Sequence, residues 1–201
     1  MKVGLRLGLG LRLRGGGKVK CTRMSIVTKT GDDGSTGLMY NRRVAKCHPR
    51  VEACGAVDEL NAALGLARAS ARQSDVGDRL LEMQKALVIL MGELATQPDD
   101  LPRYAQDGFS TVSPEMTAQL DRVAKEIEAQ NITCKGWATP GANLSAASLD
   151  MARAVCRRAE RRVCALRENK QLPNGEILVF LNRMSDALWL LARRAEGQAQ
   201  T

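Results

Sequence analysis

Aromatic side chains are scarce: two Trp, two Tyr and two Phe in 201 residues. A single-stranded nucleic acid binder needs aromatic faces on which bases stack, so the scarcity counts against that class. It also means that any large core must be aliphatic. Histidine occurs once, as His48, and none of the six cysteines (Cys21, Cys47, Cys54, Cys134, Cys156, Cys164) forms a C-x-x-C pair. A zinc centre has little to be built from. Cys156 and Cys164 fall at helical apolar positions, where cysteine acts as a small hydrophobe, consistent with reduced thiols in the cytoplasm. No apolar run is long enough to span a membrane, and no internal repeat is present.

Acidic residues are missing from residues 1–23, "MKVGLRLGLGLRLRGGGKVKCTR", which hold seven Lys/Arg and six Gly. The formal charge of the chain is +8, but without this segment 23 basic face 22 acidic residues, a net charge of +1. The basic balance therefore does not describe the body of the protein. The Leu/Gly/Arg alternation is too broken for a secretory core. Residues 1–23 read as a disordered basic extension, an upstream start or a transit-like peptide. Met24 opens "MSIVTKTG" like a natural start, and residues 24–201 read as one domain.

Helical spacing dominates the chain from about residue 50 onward. Val57, Leu60, Leu64 and Ala67 make a first stripe; Leu80, Met83, Leu87, Leu90 and Leu94 make a second. A third runs Met116, Leu120, Val123, Ile127 behind "SPEM", where Ser113 can cap and Pro114 fits the first helical position. A fourth helix covers about residues 142–168, with Leu149, Ala152, Cys156, Ala159, Val163 and Leu166 in line. A fifth comes after "LPNG" with Ile177, Leu181, Met184, Leu188 and Leu191. The expectation is an all-α five-helix bundle behind an N-terminal loop and one short strand at "SIVT". Residues 97–113, "QPDDLPRYAQDGFSTVS", are expected to be its most mobile connection.

Two regions carry more polar groups than a bundle needs. "TKTGDDGSTG", residues 28–37, is dense in glycine and can bring backbone N–H groups close to an anion, although its spacing is not that of a Walker A loop. In "RAVCRRAERR", Arg153, Arg157 and Arg161 form one row at i, i+4 and i+8, and Arg158 and Arg162 lie about 100° round the helix. Glu160 cannot pair five arginines, so positive charge is left for an anion or another subunit. Asn182 and Asp186 share a face in "LNRMSD", and Asp58 adjoins the buried stripe of the first helix, where a carboxylate needs a partner.

Taken in order, "TKTGDDGSTG", "RRVAK", "RVEACGAVDELNAALG", "RAVCRRAERR" and "FLNRMSDALWLLAR" resemble the PduO-type ATP:cob(I)alamin adenosyltransferases over about residues 25–195. The resemblance implies a trimer with active sites between subunits. It implies transfer of the 5′-deoxyadenosyl group of ATP to the cobalt of cob(I)alamin, with triphosphate released and Mg²⁺ held mainly by the ATP phosphates. Thr28, Lys29, Thr30, Gly31, Thr36, Gly37 and Lys46 would wrap ATP. Arg157, Arg158, Glu160, Arg161 and Asn182 match the family's nucleotide contacts, and Asp58 matches the acid that pairs with Arg157 across the interface. Trp137, in "KGWATPGA", stands where the family usually has the phenylalanine that displaces the cobalt's axial base. Either it wedges against the corrin or it is ordinary loop-to-bundle packing. A reductase and an adenosylcobalamin-dependent enzyme are further implied partners; a membrane or nucleic acid is not. Two rival readings stay open: a carrier of adenosylcobalamin that does not make it, and a nucleic-acid-binding bundle.

Overall fold

The computed structural model describes residues 27, 29–130 and 137–197. Two three-residue strands, β1 (Ser35–Gly37) and β2 (Arg43–Ala45), form an antiparallel hairpin. Among the described residues six α-helices come after it: α1 (Pro49–Ser70), α2 (Ser74–Leu94), α3 (Leu101–Gln106), α4 (Pro114–Glu128), α5 (Leu144–Glu168) and α6 (Glu176–Gly197). Five are the long helices expected from the sequence, and α3 is a short addition. The strand expected at residues 25–28 lies, but for Val27, outside the described residues; the hairpin at 35–45 has no counterpart among the expected elements.

The long helices begin where local chemistry lets them. His48 Nδ1 accepts from Arg50 N at 3.1 Å and Pro49 opens α1, so the only histidine is a helix cap. Asn143 caps α5 by accepting from Ala146 N, while its amide donates to Ala195 O at the far end of α6. Ser113 behaves differently from expectation: it makes no cap bond to the backbone of α4, and its hydroxyl instead holds the Glu115 carboxyl below its ordinary pKa.

Every residue of the first, second, fourth and fifth predicted stripes is buried, from Val57 and Leu60 to Leu188 and Leu191. On α4 Leu120 and Ile127 are buried, and Met116 and Val123 are partly so. Arg50, at the start of α1, reaches Gln171 O just beyond α5, so these two helices run antiparallel. The Asn143–Ala195 bond sets α5 antiparallel to α6 in the same way. Thr117–Glu176 and Asp121–Arg183 contacts lay α4 parallel to α6.

Buried polar groups tie the elements together. Arg50, 2% exposed, donates to Leu94 O and Thr96 O at 2.9 Å each and so closes the C-terminal end of α2. Asp150 and Arg193 form a buried ion pair between α5 and α6.

Residues 97–113 are not a bare loop. They hold a turn at Pro98–Asp100 and α3; Tyr104 is buried and stacks on Phe109 at 4.6 Å. Glu93 anchors their far end: it accepts from Val112 N at 2.8 Å and from the Asn174 amide at 2.9 Å. Burial pushes the Glu93 carboxyl above its ordinary value, against the pull of those two hydrogen bonds. A carboxyl raised in the folded state costs stability progressively as pH rises from its unfolded pKa through its folded one. Glu93→Gln is therefore expected to flatten that decline. Chemical denaturation of both proteins between about pH 4 and 7 checks it; parallel curves would reject the assignment.

Candidate active site

The glycine-rich segment folds back on itself before the hairpin. Gly34 N donates to Gly31 O, and Lys46 N donates to Gly34 O at 2.9 Å, so residues 31–34 turn tightly against the end of β2. Gly34 has φ +79°, which favours glycine. A Cβ on Gly31 would lie 3.1 Å from Ser35 O and 3.3 Å from both Lys46 Cε and Nζ. The Lys46 ammonium thus rests on bare backbone at Gly31, and any larger residue would push it away.

Asp33 stiffens the turn by accepting from Ser35 N at 2.9 Å and Ser35 Oγ at 2.7 Å. These bonds, helped by Arg43, lower its carboxyl pKa. Arg43 donates to Thr30 O at 2.8 Å and to the Ser35 hydroxyl. Thr36 and Gly37 lie within β1, Gly37 buried; Lys29 is exposed with φ +56°. Thr28 lies outside the described residues. The predicted loop residues from Lys29 to Gly37 therefore share one structural unit with Lys46.

A second cluster lies on α5 and α6. Asn182 donates to Glu160 Oε1 at 3.3 Å. Arg158 pairs with Glu59 of α1, and Arg153 turns to Asp150 at 3.6 Å. Arg157, Arg161 and Arg162 are exposed and make no ion pair among the described residues. Surplus positive charge on this helix, expected from the sequence, is present and has two main candidates at i, i+4.

Three sequence expectations need correction or limits. Asp58 is exposed rather than drawn into the core beside Val57. Helix geometry turns its carboxyl outward; its neighbour Glu59 pairs with Arg158, and Arg157, the partner expected for Asp58 across a subunit boundary, is left unpaired in its own chain among the described residues. Trp137 is 92% exposed, so it is not packing against its own bundle. Within one chain no hydrogen bond or ion pair among the described residues joins the glycine-loop cluster to the Arg157–Arg161 cluster.

Sequence reasoning does not single out Arg43 and Glu59 as organisers. For Arg43 the signal is the doublet in "RRVAK" itself, but no strand is expected there from which the directions of its two side chains could be read. Glu59 carries no such signal. A separate groove between α2 and α4, floored by Met83, Leu120 and Phe180, holds none of the predicted site residues. The described residues contain no group of three His, Cys, Asp or Glu side chains placed to hold a metal, and no helix among them is long and apolar enough to cross a membrane. Of the two cysteines expected to act as small hydrophobes, Cys156 is buried and Cys164 only partly so; Cys54 is buried as well, and desolvation pushes the Cys54 and Cys156 thiols up to about 12.

The family model for cobalamin adenosyltransferase matches residues 26–195, from the glycine loop to the last turns of α6. The chain belongs to this family. A corrinoid adenosyltransferase from Citrobacter freundii is 39% identical over 171 residues, covering 85% of this chain and 94% of that protein. Corrinoid adenosyltransferase PduO from Salmonella typhimurium is 36% identical over 179 residues, 88% of this chain; the match spans about half of that longer relative, 51%. Among solved structures, a variant of the PduO-type ATP:corrinoid adenosyltransferase from Lactobacillus reuteri complexed with cobalamin and ATP superposes with a TM-score of 0.78 at 31% identity. That superposition covers 88% of this chain and 96% of the other. In this cobalamin adenosyltransferase-family chain, the two polar clusters are thus built on the fold shared with those proteins.

Proposed function

We propose that the chain transfers the 5′-deoxyadenosyl group of ATP to the cobalt of cob(I)alamin, forming adenosylcobalamin and releasing triphosphate. The Citrobacter and Salmonella relatives are named corrinoid adenosyltransferases, and the Lactobacillus reuteri neighbour was solved with cobalamin and ATP. The observation that carries the reading here is the pairing state of the cations. Lys46 rests on the Gly31 backbone, and Arg157 and Arg161 make no ion pair among the described residues of their own chain.

Cob(I)alamin is itself a strong nucleophile, so the protein has to align C5′ of ATP with the metal rather than activate a base. It also has to stabilise charge gathering on the departing triphosphate, for which fixed cations and backbone N–H groups suit better than titrating groups. Lys29, Thr30, Gly31, Thr36, Gly37 and Lys46, with Thr28, are assigned to the nucleotide. So are Arg157, Arg158, Glu160, Arg161 and Asn182. Glu160 fits as an orienting acceptor because it already receives the Asn182 amide. Mg²⁺ is assigned to the ATP phosphates, whose oxygens suit a hard cation.

The two clusters are assigned to meet between subunits of a homotrimer, with Asp58 of one chain pairing with Arg157 of the next. Exposed apolar surface supports such an assembly. Glu59 and Leu66 lie seven residues apart on one face of α1, as Met151 and Arg158 do on α5. The Glu59–Arg158 pair sets these antiparallel faces side by side, and both Leu66 and Met151 are 58% exposed. Such a patch is what a second copy covers. The protein is placed in the cytoplasm, supplied with electrons by a reductase and supplying an adenosylcobalamin-dependent enzyme.

Purified protein mixed with ATP, Mg²⁺ and chemically reduced cobalamin should yield adenosylcobalamin and triphosphate in equal amounts. A carrier that only binds the product would release none. Trp137 is assigned to the corrin face, and its exposure means that Trp137→Ala should leave the melting temperature unchanged. The substitution is expected to spare ATP binding but remove the absorption bands of four-coordinate cob(II)alamin. Retained bands would return Trp137 to the loop.

A further inference from the structure

We propose that residues 95–107 of the α2–α4 connection are a buttress that presets the nucleotide loop, with Asp100 as its positioning residue. The inference rests on the assignment of residues 29–46 to ATP. Its physical basis is the way the hairpin tip is held. The turn between β1 and β2 places Tyr40 (φ 57°, ψ 29°) and Asn41 (φ 60°) in the left-handed region, with Leu38 N donating to Arg42 O at 2.8 Å. Asparagine tolerates this conformation, but a tyrosine there is strained and persists only where its surroundings hold it.

The holding contacts come from the connection. Met39 N donates to Ala95 O at 2.9 Å. Tyr40 Oη donates to Asp107 at 2.9 Å, and the Arg103 guanidinium sits 4.3 Å from the centre of the Tyr40 ring. Arg42 closes a two-pronged pair on Asp100, Nε to Oδ2 at 2.8 Å and Nη2 to Oδ1 at 2.9 Å. Asp100 is 8% exposed and ends the Pro98–Asp100 turn, its N–H donating to Gln97 O at 2.9 Å, so its backbone is held by the connection itself. The connection is rooted in the bundle through buried Tyr104, whose hydroxyl lies against Gly92 of α2 where a Cβ would clash with it, and through the Glu93–Val112 bond.

Arg42 is extended (φ −73°, ψ 110°) immediately before β2 and Arg43 is the first residue of that strand, and successive side chains of an extended backbone point opposite ways. Arg42 faces outward to Asp100, and Arg43 faces the glycine loop, donating to Thr30 O and Ser35. Both guanidinium groups of "RRVAK" are thereby committed to holding backbone in place. Lys46 is left as that motif's phosphate contact. Restraint passes from Asp100 through Arg42 and Arg43 to residues 30–35, without Asp100 approaching the nucleotide.

The test uses Asp100→Asn in the full-length protein. Amide hydrogen exchange over residues 31–46 is expected to accelerate by about fivefold or more while exchange in α1 and α5 stays unchanged. The KM for ATP should rise about fivefold, with kcat at saturating ATP and the KM for cobalamin within about twofold of wild type. Asp107→Asn, at an exposed site that does not threaten folding, should shift exchange and the ATP KM in the same direction by less. Unchanged exchange over residues 31–46 in both variants would overturn the proposal, as would a uniform fall in kcat with both KM values raised. If the wild-type protein forms no adenosylcobalamin, the functional assignment fails by itself, and the exchange measurement still decides the buttress.

Discussion

Arg161→Ala is expected to lower the rate of adenosylcobalamin formation by about 10²–10³-fold, and Arg162→Ala by no more than about threefold. Both side chains are exposed on α5, and neither makes an ion pair among the described residues, so neither loss should change the melting temperature. What separates them is direction. Arg161 comes four residues after Arg157 on the face that also presents Glu160 and Asn182; Arg162 lies about 100° further round. A cation aimed at a leaving group acts when charge accumulates there, so its removal falls mainly on the chemical step. Steady-state kinetics at saturating ATP, with thermal melts of the same preparations, would show it. Equal losses in the two variants would take the assigned role away from Arg161.

A second large effect is expected in stability. Asp150→Ala should lower the unfolding free energy by about 3–5 kcal/mol, a large share of the total for a domain of this size. Asp150 and Arg193 are 4% and 3% exposed, and Arg193 also reaches Glu196 at 3.0 Å. Deleting the aspartate leaves the Arg193 guanidinium inside the α5–α6 contact with Glu196 as its remaining ion-pair partner among the described residues, while Nε and Nη1 already find no hydrogen-bond partner among them. The double replacement Asp150→Leu/Arg193→Met removes both charges and should recover most of the loss, because the penalty belongs to a buried ion that has lost its buried partner and keeps only the more exposed Glu196. Urea unfolding of the three proteins checks this. A double variant as unstable as Asp150→Ala would mean that shape, not charge, governs the site.

The order of the helices and their buried faces could be read from the chain alone. Leu60, Leu87, Leu149 and Leu188 recur at helical spacing, and burying apolar area is the largest favourable term, so periodicity and core coincide. The charge surplus on α5 was equally legible, because one Glu160 cannot serve five arginines wherever the helix lies. So was family membership, carried by five motifs in order. Local pattern suffices for each of these.

Contacts between residues distant in sequence were settled by the fold. Nothing in "CHPR" says that Arg50 closes α2, because its partners lie 44 to 121 residues away. The choice of Glu59 over Asp58 for Arg158 depends on the rotation of α1 against α5, which a shift of one residue along a helix changes by about 100°. The hairpin at residues 35–45 is held in part by Asp100 and Asp107 from beyond α2, which also make a left-handed Tyr40 tolerable. The sequence by itself determined which surfaces must be buried and where positive charge collects, since both depend only on residue spacing along a regular helix. Only the tertiary structure decided which polar side chains are spent on holding the molecule together and which remain free for a ligand, since that depends on the three-dimensional neighbours of each charge.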